Sequence, residues 1–216
     1  MTTRILIADD HPLFRSAMSQ AVLQIEANAQ ILETDCLAQT EQFLVDEAGQ
    51  VDLLFLDLRM SDSQGLAGMM LLKASFPNLP IVIVSATDEV STIHAAIESG
   101  AIGYIVKSYS QDQIAAAYKE VKAGKVHMPE SMHSAIKHSE QLSTTLGGFR
   151  LLTPTQLRVL VKMTNGLLNK QIAADMGITE ATVKSHVTEI LKKLNCRNRT
   201  QAVLIAKELD IVLTDS

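Results

Sequence analysis

The N-terminal part of the chain repeats short apolar runs, each followed by a longer stretch in which apolar residues recur three or four positions apart. The apolar runs predict β-strands. Three of them show no alternation, as expected when both faces of a parallel sheet are covered. The predicted strands are Ile5–Ala8, Ile31–Thr34, Val51–Leu56, Ile81–Val84 and Gly103–Val106.

The stretches between these runs predict amphipathic helices, each with one apolar face. The predicted helices are Leu13–Ile25, Thr40–Glu47, Leu66–Ala74, Val90–Ser99 and Gln111–Ala123. Strand and helix alternate five times, which is typical of a doubly wound α/β domain around a five-stranded parallel sheet. The flavodoxin-like strand order 2-1-3-4-5 would make the first, third, fourth and fifth strands neighbours.

The C-terminal part has no strand signal from Leu152 onward and predicts an all-α unit. Its predicted helices are Pro154–Asn165, Asn169–Met176, Glu180–Leu194 and Arg199–Leu209. Thr153, Asn169 and Thr179 have side chains that suit helix N-caps. Gly177 lies in a tight turn between the second and third helices, and two short helices joined in this way are typical of a helix-turn-helix.

The segment between the two parts predicts a short helix from Pro129 to about Gln141, followed by a flexible tether over the small, polar Ser143–Gly148. The sequence therefore predicts a first domain over residues 1–124, a partly helical linker over 125–148 and a helix-turn-helix domain over 149–216.

The composition, 47% hydrophobic and 20% charged, excludes a mainly disordered chain, and the apolar runs are too short to cross a bilayer. Arg4, Asp9 and Asp10 leave no room for the apolar region of a signal peptide, so we expect a cytoplasmic protein. The net charge of −5 divides unevenly: residues 1–148 hold 9 Lys and Arg against 18 Asp and Glu, and residues 149–216 hold 10 against 6. A basic C-terminal part indicates contact with nucleic acid.

Five polar side chains lie at or just after the ends of the predicted strands. Asp9 and Asp10 follow the first strand, Asp57 the third, Ser85 the fourth and Lys107 the fifth. Because the carboxyl ends of parallel strands meet at one edge of a sheet, we expect these side chains to converge. Three carboxylates would repel one another without a cation, and Mg²⁺ suits such oxygen ligands. One carboxylate could then attack phosphorus, with Ser85 and Lys107 holding the phosphoryl oxygens.

These five residues, and the lengths of the segments between them, resemble the receiver domain of bacterial two-component response regulators over residues 1 to about 124. The resemblance implies that Asp57 accepts a phosphoryl group from a sensor histidine kinase. It also implies an Mg²⁺ site beside Asp57. The ligands of that implied site are Asp10, Asp57, the backbone carbonyl of Arg59 and, through water, Asp9.

The chain departs from the common receiver pattern after the third strand, where Ser61-Asp62 replaces a frequent Pro-Gly. We expect a more flexible and more acidic loop there, with weaker metal binding or altered kinase choice. Arg59 is a bulky cation beside the expected phosphoryl site, and we expect it to shield the acyl phosphate from water. The resemblance also implies a switch formed by Ser85 and Tyr104, although Tyr104 could instead be an ordinary half-buried strand residue.

The predicted third helix of the C-terminal part has an apolar stripe and, opposite it, a stripe of small, polar and basic residues. The polar stripe suits the major groove of DNA, and a solvated face on a structural helix is the alternative. The segments Leu152-Thr153-Pro154, Asn169–Ala173, Thr182–Val187 and Arg197–Ala202 resemble the LuxR-type DNA-binding domain. The expected DNA contacts are Lys170, Thr182, Lys184, Ser185, Thr188, Lys192 and Arg199.

The last predicted helix pairs two DNA-bound domains in that family. Its expected dimerisation residues are Ala202, Val203 and Ala206, and the same stripe could equally be covered by the chain's own domain. Small residues permit close approach of two helices, and a symmetric dimer would bind two related half-sites.

The whole chain thus resembles a response regulator of the NarL/FixJ type. We expect a phosphorylation-dependent transcriptional regulator that binds promoter DNA as a homodimer and is no enzyme beyond assisting its own phosphotransfer and dephosphorylation. Two alternatives are a DNA-binding regulator whose receiver acts without phosphorylation and a phosphatase with an Asp nucleophile. The short segments between the elements leave no lid or substrate-binding insertion, which disfavours the phosphatase.

Overall fold

The computed structural model describes residues 2–47, 49–133, 148–208 and 212–213. Of the expected linker, the helix beyond residue 133 and the tether over 143–147 lie outside these residues. The strands are β1 (Arg4–Ala8), β2 (Gln30–Thr34), β3 (Leu53–Asp57), β4 (Arg59–Met60), β5 (Ser63–Gln64), β6 (Ile81–Ser85), β7 (Gly103–Val106) and β8 (Val212–Leu213). The helices are α1 (Pro12–Ile25), α2 (Leu37–Asp46), α3 (Ala67–Ser75), α4 (Val90–Glu98), α5 (Gln111–Lys122), α6 (Glu130–His133), α7 (Pro154–Thr164), α8 (Asn169–Met176), α9 (Glu180–Lys193) and α10 (Arg199–Glu208).

Five parallel strands form the main sheet of the described N-terminal part, in the order β2-β1-β3-β6-β7. This order confirms the predicted doubly wound arrangement. Ile5 is paired with Ile31 on one side and Leu53 on the other, which fixes the register of the centre of the sheet.

Both faces of the central strands are buried, which explains why β1, β3 and β6 lack a polar alternation. Ile5 and Val82 lie in an apolar cluster with α1 and α5, whereas Leu6 and Leu54 lie in the cluster on the opposite face with α2, α3 and α4. All four side chains are fully buried. Successive residues of a strand point to opposite faces, so every position must be apolar when helices cover both.

The C-terminal helices begin largely as predicted. The Thr153 hydroxyl accepts a hydrogen bond from the backbone N–H of Gln156, and the Gln156 side-chain oxygen accepts one from the backbone N–H of Thr153. The Thr179 hydroxyl caps α9 in the same way, by accepting from the Thr182 N–H. Gly177 ends α8 with φ +65°, a conformation that favours glycine. The predicted cap at Asn169 is wrong: Asn169 is the first residue of α8, the N-cap position is Leu168, and the Asn169 side-chain oxygen accepts a hydrogen bond from Arg199.

A small antiparallel sheet joins the two parts of the chain. Strands β4 and β5 form a hairpin directly after β3, and β8 from the C-terminal end pairs with β5 through Ser63–Leu213 and Gln64–Val212. The expectation that no strand follows Leu152 is therefore wrong. A two-residue strand has no periodicity to detect, because it exists only through its partner.

The two parts are docked against each other. Helix α3 packs on α7, and one apolar cluster includes Met70 from the first part and Phe149 and Leu157 from the second. Arg158 on α7 forms an ion pair with Glu41 on α2. The docking brings the C-terminal part into contact with elements that follow directly on β3.

Gly148, the last residue of the expected flexible tether, is instead packed closely. A Cβ at this position would lie 2.7 Å from the backbone oxygen of Lys193 at the end of α9. Only a glycine permits this approach without a shift of the backbone.

Candidate functional site

The ends of four neighbouring strands bring the expected polar side chains together. Asp9 and Asp10 follow β1, Asp57 is the last residue of β3, Ser85 ends β6 and Lys107 follows β7. The backbone N–H of Lys107 donates to the Ser85 carbonyl at 2.7 Å, which continues the β6–β7 ladder and fixes where the lysine side chain starts.

Lys107 bridges two of the carboxylates. Its Nζ lies 2.7 Å from Asp57 Oδ2 and 2.8 Å from Asp9 Oδ2. Asp9 and Asp57 are 1% and 3% exposed, so this ion pair is shielded from water. A buried carboxylate requires such a partner, because leaving one charge unpaired inside a protein is strongly unfavourable.

We define the acidic pocket as Asp9, Asp10, His11 and Asp57. One ligand atom from each lies within 4.8 Å of all the others. His11 was not part of the sequence prediction, although its position next to Asp10 was a usable signal. Its Nδ1 lies 2.6 Å from Asp10 Oδ1 and 3.2 Å from Asp9 Oδ1, and its side chain is 67% exposed.

The charges in this pocket perturb one another. Burial raises the pKa of Asp57 and the nearby Asp9 raises it further, while the hydrogen bond from Lys107 opposes both effects. Burial alone would lower the pKa of Lys107, but its hydrogen bonds to Asp57 and Asp9 outweigh burial and raise it. Three carboxylates therefore share one ammonium, and the pocket retains an excess of negative charge.

This excess fits a divalent cation. The donors in the acidic pocket are carboxylate oxygens, with one imidazole at the exposed side, and hard cations such as Mg²⁺ prefer oxygen ligands. The residues present therefore fit the Mg²⁺ that the sequence implies. The chemistry of these donors supports a cation-binding pocket.

The expected switch residues lie beside the pocket and are buried. Ser85 is 1% exposed and its Oγ accepts a hydrogen bond from the Thr87 N–H at 3.3 Å. Tyr104 is fully buried, and its hydroxyl donates to the Thr87 carbonyl at 2.9 Å. Burial raises the pKa of Tyr104 to about 12. The ring is thus inside the domain here, and a switch at Tyr104 requires a second state in which it turns outward.

The loop after Asp57 differs from the expectation. Arg59 is exposed, and its backbone N–H donates to Asp57 Oδ1 at 3.1 Å. The sequence predicts a flexible loop, but Asp62 is 7% exposed and accepts hydrogen bonds from the backbone N–H groups of Leu37 at 2.8 Å and Ala38 at 2.9 Å. Asp62 anchors the loop to the N-terminus of α2, where backbone N–H groups lack partners within the helix.

The polar stripe of α9 faces solvent. Six of the seven expected DNA contacts are exposed, namely Lys170, Thr182, Lys184, Ser185, Thr188 and Lys192. Val183 and Ile190 on the opposite side are fully buried. The docked arrangement therefore leaves the stripe uncovered. Within it, Lys184 pairs with Glu180 at 3.0 Å, a surface contact that DNA phosphates could replace.

Arg199, the seventh expected DNA contact, is half-buried and bonded within its own domain. Its guanidinium donates to the Asn169 side chain at 3.0 Å and to the Leu167 carbonyl, and burial lowers its pKa. These hydrogen bonds stabilise the turn before α8, so the Arg199 side chain has a structural role within the domain.

Two of the three expected dimerisation residues lie inside the chain's own domain, which is the alternative that the sequence left open. Ala202 and Ala206 are fully buried, because α10 packs against α7 of the same chain. Val203 is half-buried. The outward side of α10 presents Leu204, which is 57% exposed. The small-residue stripe that suggested pairing between chains is thus used within one chain.

Among the described residues, no helix combines the length and apolarity that crossing a membrane requires. Residues 5–119 match the family of response regulator receiver domains, and residues 150–206 match the bacterial regulatory proteins of the luxR family.

Two proteins and one structure show the same architecture over almost the whole chain. The glycerol metabolism activator of Pseudomonas putida is 38% identical, with 96% of each chain covered. The nitrate/nitrite response regulator protein NarP of Escherichia coli is 30% identical over 94% of this chain and 93% of that protein. RcsB of Salmonella enterica serovar Typhimurium, solved on a promoter with a phosphomimetic, is 20% identical and superposes with a TM-score of 0.56 over 95% of this chain and 98% of that chain.

Proposed function

Because the chain belongs to the NarL/FixJ family of two-component response regulators, which join a receiver domain to a LuxR-type DNA-binding domain, we propose that phosphorylation of Asp57 by a sensor histidine kinase controls its binding to promoter DNA. The observation that carries this proposal is the position of Asp57 at a strand end, 2.7 Å from Lys107 and beside Asp9 and Asp10.

The pocket suits transfer of a phosphoryl group to Asp57. A carboxylate oxygen of Asp57 attacks the phosphorus of a phosphohistidine; the O–P bond forms while the P–N bond breaks, and the imidazole leaves with the electron pair. Lys107 Nζ and the backbone N–H of Arg59 already hold the two oxygens of Asp57. Lys107 and the Ser85 hydroxyl then hold oxygens of the transferred group.

A bound Mg²⁺ would neutralise the charge that gathers on the phosphoryl oxygens. Asp10, Asp57 and the backbone carbonyl of Arg59 would hold it, with Asp9 acting through water. Lys107 occupies Asp9 and Asp57 in the structure, so the lysine must share these carboxylates with the cation. In the same pocket the chain assists its own phosphorylation and dephosphorylation, and it acts on no separate substrate.

The contacts around the hairpin link Asp57 to the DNA-binding domain. The β4–β5 hairpin starts two residues after Asp57 and pairs with β8. Asp62 ties the hairpin to α2, and Glu41 on α2 is paired with Arg158 on α7. We propose that phosphorylation shifts this hairpin and weakens the docking. The polar stripe is exposed even in the docked arrangement, so docking does not inhibit DNA binding by covering it. Docking would instead restrain how the DNA-binding domains of two chains approach each other.

On DNA, α9 enters the major groove. Lys184, Ser185 and Thr188 face base edges and phosphates, with Lys170, Thr182 and Lys192 beside them. Two copies of the chain would bind half-sites about one helical turn apart, with the exposed side of α10 available for pairing. Action on promoter DNA would place the protein in the bacterial cytoplasm.

The test is the response of DNA binding to a phosphodonor. A labelled duplex, selected by the protein from random sequence, is titrated with full-length protein, with and without Mg²⁺ and acetyl phosphate, and anisotropy is measured. The wild type and the matched control Asp46→Ala, an exposed carboxylate on α2, should bind more tightly after treatment. Asp57→Ala should keep basal binding and show no response.

An equal response from Asp57→Ala would refute the proposal. A wild type that binds DNA without any response would favour the alternative of a receiver that acts without phosphorylation.

A further inference from the structure

A cavity of about 180 Å³ lies where the receiver meets the C-terminal part, away from the acidic pocket. Its apolar walls include Met70 on α3 and Phe149 and Leu152 at the start of the C-terminal part. Three polar residues complete it, namely Lys73, Ser99 and Arg150, and no Asp or Glu lies among its described lining residues.

Two cationic side chains meet at this cavity. A Cβ at Gly100 would lie 3.3 Å from Lys73 Cε and 3.9 Å from Arg150 Nη2, so both side chains pass the same point. Lys73 donates to the carbonyls of Pro77 and Leu79, each at 3.0 Å, which leaves its third N–H available. Burial, and then the charge of Arg150, lower the pKa of Lys73. The described residues provide no carboxylate to relieve the repulsion between the two cations.

Ser99 gives an independent indication that a ligand belongs here. Its side chain is 5% exposed, and its Oγ has no hydrogen-bond partner among the described residues. Buried hydroxyl groups nearly always have a partner, so a buried and unsatisfied one that lines a cavity needs an explanation. A hydroxyl beside two cations can donate to an anionic oxygen.

We propose that this cavity binds a small organic carboxylate, which Arg150, Lys73 and the Ser99 hydroxyl hold together. The planar guanidinium of Arg150 matches a carboxylate through two parallel hydrogen bonds, and the ammonium of Lys73 adds a second charge. The apolar walls suit a short hydrocarbon body. A free phosphate would leave those apolar walls without an apolar group to contact.

The ligand would contact both parts of the chain. Lys73 and Ser99 belong to the receiver, whereas Arg150 belongs to the C-terminal part. A ligand that binds only when these residues are together stabilises the docked arrangement by linkage. The site would therefore give the protein a second input, from a small metabolite, that opposes the effect proposed for phosphorylation of Asp57.

The experiment is isothermal titration calorimetry of the full-length protein with acetate, butyrate, butyramide and inorganic phosphate at constant ionic strength. Butyrate should bind, acetate should bind more weakly because it lacks the apolar body, and the neutral butyramide should not bind. The variants Arg150→Gln and Ser99→Ala should each lower the affinity for butyrate about tenfold. Arg150 is exposed, so its replacement should leave the fold intact. The matched control Lys125→Gln removes an exposed charge outside the cavity and should bind like the wild type.

Several results would overturn the proposal. One is that neither acetate nor butyrate binds. Another is that butyramide binds as tightly as butyrate. A third is that the Arg150→Gln and Ser99→Ala variants bind butyrate as tightly as the wild type. Binding of phosphate without butyrate would overturn the assignment to a carboxylate.

Discussion

Replacement of Asp62 by Ala removes the side chain that anchors the β4–β5 hairpin to α2. The carboxylate accepts hydrogen bonds from the N–H groups of Leu37 and Ala38 at 2.8 and 2.9 Å. The N-cap residue of α2, Cys36, makes no side-chain capping bond, so it offers no substitute. Leu37 is buried, whereas Ala38 is exposed and can bond to water instead.

The cost follows from these two environments. An orphaned buried N–H that had a charged partner costs about 2 kcal/mol, and an N–H that water can reach costs about 0.5 kcal/mol. The free energy of unfolding should therefore fall by about 2–3 kcal/mol in Asp62→Ala. Asp62→Asn keeps one acceptor and should lose about half of this. The control Asp46→Ala, at the exposed end of the same helix, should change stability by less than about 0.5 kcal/mol.

Urea unfolding followed by circular dichroism gives the free energies, and amide hydrogen exchange at Leu37 reports the receiver alone. We expect a lower urea midpoint and faster exchange at Leu37 in Asp62→Ala. If the variant unfolds at the wild-type urea concentration with Leu37 still protected, Asp62 does not anchor the loop and the expected flexible loop would be the better description.

Three further changes test other parts of the molecule. Hydrogen bonds from Thr3 and Tyr118 lower the pKa of Glu26 to about 2. Glu26→Gln should therefore lower the free energy of unfolding by about 1–2 kcal/mol above pH 4.5. Urea titrations at several pH values should show this difference disappearing as the pH falls toward 2. Gly148→Ala places a Cβ 2.7 Å from a backbone oxygen at the end of α9, and thermal unfolding should show a loss of about 1–3 kcal/mol, whereas an alanine without strain would stabilise. Lys184→Ala should weaken DNA binding about tenfold in anisotropy titrations and flatten its salt dependence, with the urea midpoint nearly unchanged.

The main sheet could be predicted because its information is local. Helices cover both faces of the central strands, so runs such as Ile81–Val84 are apolar without interruption, and the residues that follow them at the sheet edge stand out by contrast. The convergence of Asp9, Asp57 and Lys107 then follows from strand order alone.

The features that the sequence did not reveal depend on distant partners. Strand β8 is two residues long and exists only because β5 lies beside it. A buried role for Asp62 depends on α2 starting at Leu37, 25 residues earlier. The small residues Ala202 and Ala206 permit close packing with any helix, and the sequence alone does not say whether that helix belongs to the same chain.

The central claim is that Asp57 takes up a phosphoryl group in a pocket formed with Asp9, Asp10 and Lys107. Intact-mass measurement after incubation with Mg²⁺ and acetyl phosphate tests it most directly. The wild type should gain the mass of one phosphoryl group, and Asp57→Asn should gain none. A wild type that stays unmodified under these conditions, or an Asp57→Asn variant modified to the same extent, would contradict the account.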